Sequence, residues 1–252
     1  MIRIGLMGCG NVGQIVATQA SGVEILALYD RIPGRAEELA RACGGKAYPD
    51  FESFIRAPFS LVVEAASVEA VHEYGEEILS RGKDMVMLSV GAMADAGFRE
   101  RIVDLARREG RKIYIPSGAI LGLDNLKVGR IAPLDHLLLR TTKPPSSLKI
   151  RADRKMKIFS GKANDCIRQF PKNINVAVAL SLAAGRDADV EIWVDPDATR
   201  NTHEIEGRGP FGDVYIRVSN IPSPDNPATS YLAALSILTL LRDLEDPLVV
   251  GT

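Results

Sequence analysis

The sequence predicts an α/β protein in which a doubly wound parallel sheet is joined to a second, α+β domain with a largely antiparallel sheet. Three observations carry that prediction. Apolar runs of strand length alternate with amphipathic segments through the first 117 residues, which is the rhythm of strand–helix–strand crossovers. The first run ends in glycines spaced for a tight turn into a helix, "IGLMGCGNVG". After Ser117 the alternation stops, and strand patterns succeed one another with the helical segments grouped apart, the mark of a sheet built without regular crossovers.

Taken in order, "IRIGLMG" (2–8), "VEILALYD" (23–30), "SLVVEAAS" (60–67), "DMVMLSV" (84–90) and "RKIYIPS" (111–117) are expected as buried parallel strands, because strands covered on both faces read as nearly continuous apolar runs. Between them, 33–43, 68–82 and 95–110 carry apolar residues at three- and four-residue spacing, the pattern of a helix with one buried face. In the second half, 118–131 reads as helical and 135–145 as a strand ended by two prolines. Strand patterns at 148–152 and 155–161 precede a helical region from Asn164 to Ala184. Further strands are expected at 190–195, 201–206 and 213–220, followed by a turn-rich stretch, "IPSPDNP" (221–227). In the last segment Leu232, Leu235, Leu238 and Leu241 fall at helical spacing. A lone amphipathic helix needs an apolar surface, so this one is expected to return to the first domain. The expected division is therefore 1–118 with 225–252, and 119–224.

Gly8, Gly10 and Gly13 form G-x-G-x-x-G directly after a strand pattern and at the start of a helix, with Asn11 and Val12 inside the motif. In a Rossmann-type domain the first glycine permits the turn and the second lets the backbone approach a pyrophosphate. The third allows the helix to pack closely, and the helix N-terminus favours the negative charge. Asp30, at the end of the second strand pattern, is placed to accept hydrogen bonds from an adenosine ribose. An acid there favours NAD. Arg31 follows it and offers a partner for a 2′-phosphate, so NADP stays open. Ligands of open parallel sheets lie outside the carboxyl ends of the strands. The small residues of "EAAS" (64–67), Ala66 and Ser67 among them, fall at such an end, as do "SVGA" (89–92) and "SGAI" (117–120). Ordinary strand-to-helix turn chemistry is the alternative reading for these.

Composition narrows the function classes. Hydrophobic residues make up 46% and charged residues 25%, and the net charge is −1, so no strong field steers nucleic acid or an anionic membrane. Cys9, Cys43 and Cys166 are scattered and odd in number, which fits neither a metal-binding CxxC pair nor a disulfide framework. No secretory leader pattern or spanning-length apolar run is present. The expectation is a cytoplasmic protein without nucleic-acid or membrane partners and without a metal.

Only three histidines occur, and one lies in "RNTHEIEGRGPFG" (200–212). Period-two alternation puts Asn201, His203 and Ile205 on one strand face and Thr202, Glu204 and Glu206 on the other. His203 is therefore either a satisfied interior residue or a proton-transfer group. A zinc site fits poorly, because "HEIEG" has Gly207 where a helical HExxH motif needs its second histidine. His72, in an amphipathic helix, and His136, in a strand pattern, read as structural.

With "SGAILGLDNL" (117–126), "FSGKANDCIRQFPKNINVAVALSLA" (159–183), "NTHEIEGRGPFG" (201–212) and "NPATSYLAALSILTLLR" (226–242) beside the glycine fingerprint, the sequence closely resembles the L-aspartate dehydrogenase family of archaea and bacteria over essentially its full length. The resemblance implies a homodimeric NAD- or NADP-dependent enzyme that interconverts L-aspartate and iminoaspartate. Iminoaspartate hydrolyses to oxaloacetate and ammonia, or feeds quinolinate and NAD biosynthesis through a link to quinolinate synthase. It also implies that Ala119 and Asn175, with Asn173 as the alternative, touch the cofactor and that His203 is the active-site histidine. One departure is Leu121, where relatives commonly carry glycine; it removes no reactive group. Two substrate carboxylates need cationic or amide donors, and Lys143, Lys172, Asn173, Arg200 and Asn201 are candidates by proximity to these motifs. The rivals are another two-domain reductase, of the homoserine dehydrogenase or dihydrodipicolinate reductase kind, and a dinucleotide-sensing protein without catalysis.

Overall fold

A computed structural model describes residues 1–170, 174–223 and 226–251. The chain forms two compact units, Met1–Pro116 with Ala233–Val249, and Ser117–Leu232 with Val250–Thr252.

In the first unit the order is β1 (Ile2–Met7), α1 (Asn11–Gln19), β2 (Val23–Tyr29), α2 (Pro33–Cys43), β3 (Lys46–Ala47) and α3 (Phe51–Ile55). There follow β4 (Leu61–Glu64), α4 (Val68–Ser80), β5 (Asp84–Met87), a 3-10 turn (Val90–Ala94), α5 (Ala96–Arg108) and β6 (Ile113–Tyr114). The strands run β3-β2-β1-β4-β5-β6, every pairing parallel, which is the doubly wound order. Ile4, Leu6, Val62, Val63, Met85, Val86 and Met87 are fully buried, as the continuous apolar runs predict. Local signals set the helix ends. Asp50, Ser67 and Asp95 cap α3, α4 and α5 by accepting from the backbone N–H three residues on, and Gly44 ends α2 in the left-handed region at φ 79°. The crossovers leave the carboxyl ends of β1, β2, β4 and β5 at one edge of the sheet. β3 is absent from the sequence reading because two residues in "GGKAY" carry no apolar run.

The second unit contains α6 (Leu123–Leu126) with a 3-10 turn (Lys127–Arg130), then β7 (His136–Lys143), α7 (Pro145–Leu148), β8 (Met156–Lys162), α8 (Ala163–Gln169) and α9 (Ile174–Ala184). β9 (Asp189–Val194), β10 (Thr202–Gly209) and β11 (Gly212–Ser219) complete a sheet, and β12 (Pro222–Ser223) pairs with β13 (Asn226–Ser230) before α10 (Tyr231–Asp243). The sheet runs β11-β10-β7-β9-β8; β7 and β9 are parallel and the other neighbours antiparallel. Burial alternates with period two: Leu137, Leu139 and Thr141 on β7, Val190, Ile192 and Val194 on β9, and His203, Ile205 and Gly207 on β10 face inward. On the opposite face Arg140 bridges Glu191 and Glu206.

Three expectations need correction. The helix expected at 118–131 begins only at Leu123, because Gly118 (φ 65°) and Gly122 (φ 79°) take left-handed backbone that a helix cannot continue through. The strand expected at 148–152 is the end of α7 followed by an irregular stretch; Pro145 starts a helical turn and Lys149 leaves it at φ 56°. The turn expected at 221–227 contains β12 and the start of β13, and that pairing delays the last helix to Tyr231. No helix among the described residues is long and apolar enough to cross a membrane.

Candidate functional site

The glycine motif builds a cleft of about 200 Å³ at the carboxyl edge of the first sheet, lined by Gly8, Gly10, Asp30, Arg31, Ala66 and Ser67 among others. The three glycines have separate physical reasons. Gly8 sits at φ 99°, and a Cβ there would lie 2.6 Å from the Ala65 backbone. A Cβ on Gly13 would stand 2.0 Å from the Gly8 carbonyl oxygen, so α1 packs on the turn only with glycine. A Cβ on Gly10 would meet nothing within 4 Å. Packing within the protein therefore does not itself require glycine at this position, which lines the cleft, and no side chain caps the adjoining α1 N-terminus. Asn11 opens α1, and Val12 is buried beneath it. These features fit the pyrophosphate of a dinucleotide.

Asp30 is held on both carboxylate oxygens, by the Cys9 N–H at 2.7 Å and the Ile32 N–H at 2.8 Å. It therefore pins the glycine loop to the end of β2, and it lines the cleft with acceptor capacity left for a ribose hydroxyl. Arg35, from the first turn of α2, joins Arg31 at the same rim. The Ser67 hydroxyl caps α4 by accepting from the Ala70 N–H at 3.2 Å, which occupies an acceptor site on its oxygen and not its O–H.

Sequence reading missed Glu64, whose side chain is fully buried. Its carboxylate accepts from the N–H groups of Ala66 (2.8 Å), Leu88 (3.1 Å) and Ser89 (2.9 Å) and from the Ser89 hydroxyl (2.7 Å). One side chain thus ties together the turns after β4 and β5. Burial pushes its carboxyl upward while these donors oppose the shift. A Glu64→Gln variant turns an amide NH2 toward backbone donors. It should cost about 1–3 kcal/mol, the usual penalty for a buried polar group left without its partner, read from urea unfolding, and should weaken NADH binding measured in parallel.

The second unit gathers a different chemistry. His203 is 7% exposed and faces inward on β10. It stands directly opposite Thr141 of β7, with 2.9 Å between its Nδ1 and the Thr141 hydroxyl. Burial, aided by the Lys143 ammonium, pushes its pKa down to about 3, so the unliganded imidazole is neutral. Burial also holds Lys143 below the usual lysine value, against the pull of the Cys166 thiol on α8. That thiol is itself pushed up to about 11. Asn220, 4% exposed, joins three segments: its N–H donates to the Asn201 carbonyl, its Nδ2 to the Ala119 carbonyl, and its Oδ1 accepts from the Ser230 hydroxyl. The Oδ1 of Asn201 is buried with no hydrogen-bond partner among the described residues.

His203, Lys143 and Asn201 therefore fall in one neighbourhood, with Thr141, Cys166 and Asn220 as members that the sequence reading missed. Thr141 had a signal in hindsight, since antiparallel pairing of "RTTK" with "NTHE" places a threonine across from the histidine. Arg200 does not join them. It is exposed and lines a depression with Thr202, Glu204 and Arg217, on the face turned away from His203. Lys172 and Asn173 lie outside the described residues. Asn175 is exposed in the first turn of α9, and Leu121 is half exposed beside Gly122. His72 packs edge-on against Phe98, 4.4 Å between ring centroids. Among the described residues no group of His, Cys, Asp and Glu could hold a metal ion.

Comparison with known proteins separates the readings that remain. Residues 124–244 match the family described as "Aspartate dehydrogenase, C-terminal". The L-aspartate dehydrogenase of Methanospirillum hungatei is 59% identical over all of both chains. The chain belongs to the L-aspartate dehydrogenase family. The family's enzyme from Methanothermobacter thermautotrophicus is 42% identical over 100% of this chain and 99% of its own. The crystal structure of aspartate dehydrogenase from Thermotoga maritima superposes with a TM-score of 0.85 at 31% identity, covering both chains completely. Residues 5–116 match "Homoserine dehydrogenase, NAD binding domain", so the resemblance to that rival is confined to the nucleotide half. Family membership makes the protein an oxidoreductase that uses NAD or NADP.

Proposed function

We propose that this protein is an L-aspartate dehydrogenase in which His203 moves the substrate's proton. The observation that carries the reading is the buried, neutral imidazole held through Nδ1 by Thr141. Aspartate is an ammonium ion at neutral pH, and its nitrogen must lose a proton before C2 can give up hydride. A neutral imidazole oriented by a hydrogen bond is suited to take that proton. NAD(P) supplies the hydride acceptor. The glycine cleft, with Gly8, Gly10, Asn11, Val12, Gly13, Asp30, Arg31, Ala66 and Ser67, holds the dinucleotide, and Ala119 and Asn175 are the further cofactor residues that the family resemblance implies. Of the substrate candidates, Lys143 supplies a cation for a carboxylate, and the partnerless Asn201 Oδ1 suits the substrate's amino group.

The product is iminoaspartate. It hydrolyses to oxaloacetate and ammonia or passes to quinolinate synthase in NAD biosynthesis, and the enzyme works as a cytoplasmic homodimer. The test follows NAD(P)H formation with L-aspartate, D-aspartate, glutamate, homoserine and malate in parallel, with each dinucleotide. L-Aspartate should exceed the others by at least tenfold in kcat/KM. Preference for malate or homoserine overturns the substrate assignment, and cofactor binding without turnover of any acid favours a sensing protein.

A further inference from the structure

We propose that Asn220 is a positioning residue for the reaction: its side-chain amide locks the Ala119 segment to the strand end that carries Asn201 and His203, so that a cofactor residue and the proton-transfer group are held as one piece. This rests on the roles given above to Ala119 and His203, and it names the group that fixes them relative to each other.

Asn220 follows β11 directly. Its N–H donates to the Asn201 carbonyl at 2.9 Å, which carries the β10–β11 pairing one step beyond Thr202 and Ser219. By period two it continues the inward row of β11, Val214, Ile216 and Val218, of which Val218 lies across from His203. The first three members of that row are apolar and half-buried, while Asn220 is polar and only 4% exposed. A buried amide is costly unless its donors and acceptors are met, so its partners show what it holds.

Those partners belong to two segments outside the five-stranded sheet. The Nδ2 group donates to the Ala119 carbonyl at 2.9 Å, and Oδ1 accepts at 2.6 Å from the hydroxyl of Ser230, the last residue of β13. A carbonyl can only accept, so the amide must turn its NH2 toward Ala119 and its oxygen toward Ser230. Residues 117–122 form neither strand nor helix and include the left-handed Gly118 and Gly122. The inward row of β11 holds this segment twice. A Cβ on Gly122 would collide with the Ile216 side chain, and Asn220, four residues along the same row, bonds Ala119. Ile120, between the two anchor points, is fully buried.

Hydride transfer needs the reacting atoms about 3–3.5 Å apart, and a displacement of about 1 Å can cost on the order of 10²-fold. Without the Asn220 amide the Ala119 carbonyl loses its tie to β11, and the segment can drift against the strand end that presents His203. The loss should therefore appear in the chemical step and in cofactor affinity.

The experiment uses the full-length protein as wild type, Asn220→Leu and Ser230→Ala. Stopped flow with L-aspartate saturating and enzyme in excess of NAD(P) gives the rate constant of hydride transfer in a single turnover. Fluorescence titration without any acid present gives the affinity for NADH. In Asn220→Leu the rate constant should fall by about tenfold or more, and NADH should bind more weakly by about threefold or more. A merely structural role lowers the folded fraction, which a single-turnover rate constant does not register. A wild-type rate constant in Asn220→Leu overturns the proposal, as does wild-type NADH affinity. Should Asn220→Leu not fold, Ser230→Ala decides, because it releases the amide oxygen and leaves Asn220 in place: both quantities must move in the same direction, and a wild-type value for either overturns the proposal. A wild type that binds NADH but turns over no L-aspartate sinks the proposed function, and the NADH titration still decides the role of Asn220.

Discussion

His203→Ala should lower aspartate turnover by about 10²–10⁴-fold, the range typical of losing a positioned acid–base group, while NADH binds with unchanged affinity to the glycine cleft of the other unit. The partition follows from where the residues lie. Every group lining the cleft belongs to the first unit, whereas His203 and its partner Thr141 are on β10 and β7 of the second. Stopped-flow turnover and fluorescence titration of NADH separate the two effects, and full activity in the variant removes His203 from the mechanism. The same side chain makes stability depend on pH. Its folded pKa, about 3, lies below the model-peptide value of about 6.5, so between those values the unfolded chain binds more protons. The contribution to stability is complete above about pH 6.5 and is lost as pH falls toward 3, at up to about 1.4 kcal/mol per pH unit. His203→Asn keeps a polar partner for Thr141 and cannot titrate. Its urea midpoint should fall less than that of wild type between pH 7 and pH 5, and parallel losses in the two proteins would show that the imidazole is not protonated on unfolding.

The first unit was legible because its signals are local. β1, β2 and α2 follow directly from an apolar run or a single-face periodicity, and α2 matches its expected bounds, Pro33–Cys43. β6 shrank to Ile113–Tyr114, because a run of apolar residues shows that a strand exists but not how far its neighbour pairs. The second unit was less legible where glycine or proline set the backbone. The 117–122 segment is apolar enough for a helix, yet two left-handed glycines hold it open. Period two correctly put His203 and Ile205 on one face, both buried. Its partner, Thr141, lies 62 residues away in sequence and depends on a strand register that no local pattern specifies. Glu64 and Asn220 escaped for the same reason. A buried polar side chain that satisfies backbone groups from several turns is visible only once those turns have been brought together. Arg200 shows the same limit from the other side. Closeness to a motif in sequence says nothing of the face of the sheet, and Arg200 lies with Thr202 and Glu204 on the face opposite His203.

Gly10 and Gly13 should respond in opposite ways to the same substitution, and the contrast decides whether the glycine motif serves a ligand or only a packed turn. Gly13→Ala places a methyl carbon 2.0 Å from the Gly8 carbonyl oxygen. Backbone cannot yield as a flexible side chain can, so α1 must move off the turn, at a cost of about 1–3 kcal/mol or more, and NADH binding falls because the turn itself is distorted. Gly10→Ala meets nothing within 4 Å, and Gly10 has an ordinary φ of −77° that alanine adopts freely. Its urea midpoint should therefore match wild type. The added methyl, however, points into the space above the α1 N-terminus where a pyrophosphate would approach, and NADH affinity should drop by at least tenfold, about 1.4 kcal/mol. If the turn existed only for packing, Gly10→Ala would be silent in both measurements. Unchanged stability with unchanged NADH affinity at Gly10 thus removes the cleft as the seat of the dinucleotide, whatever happens at Gly13.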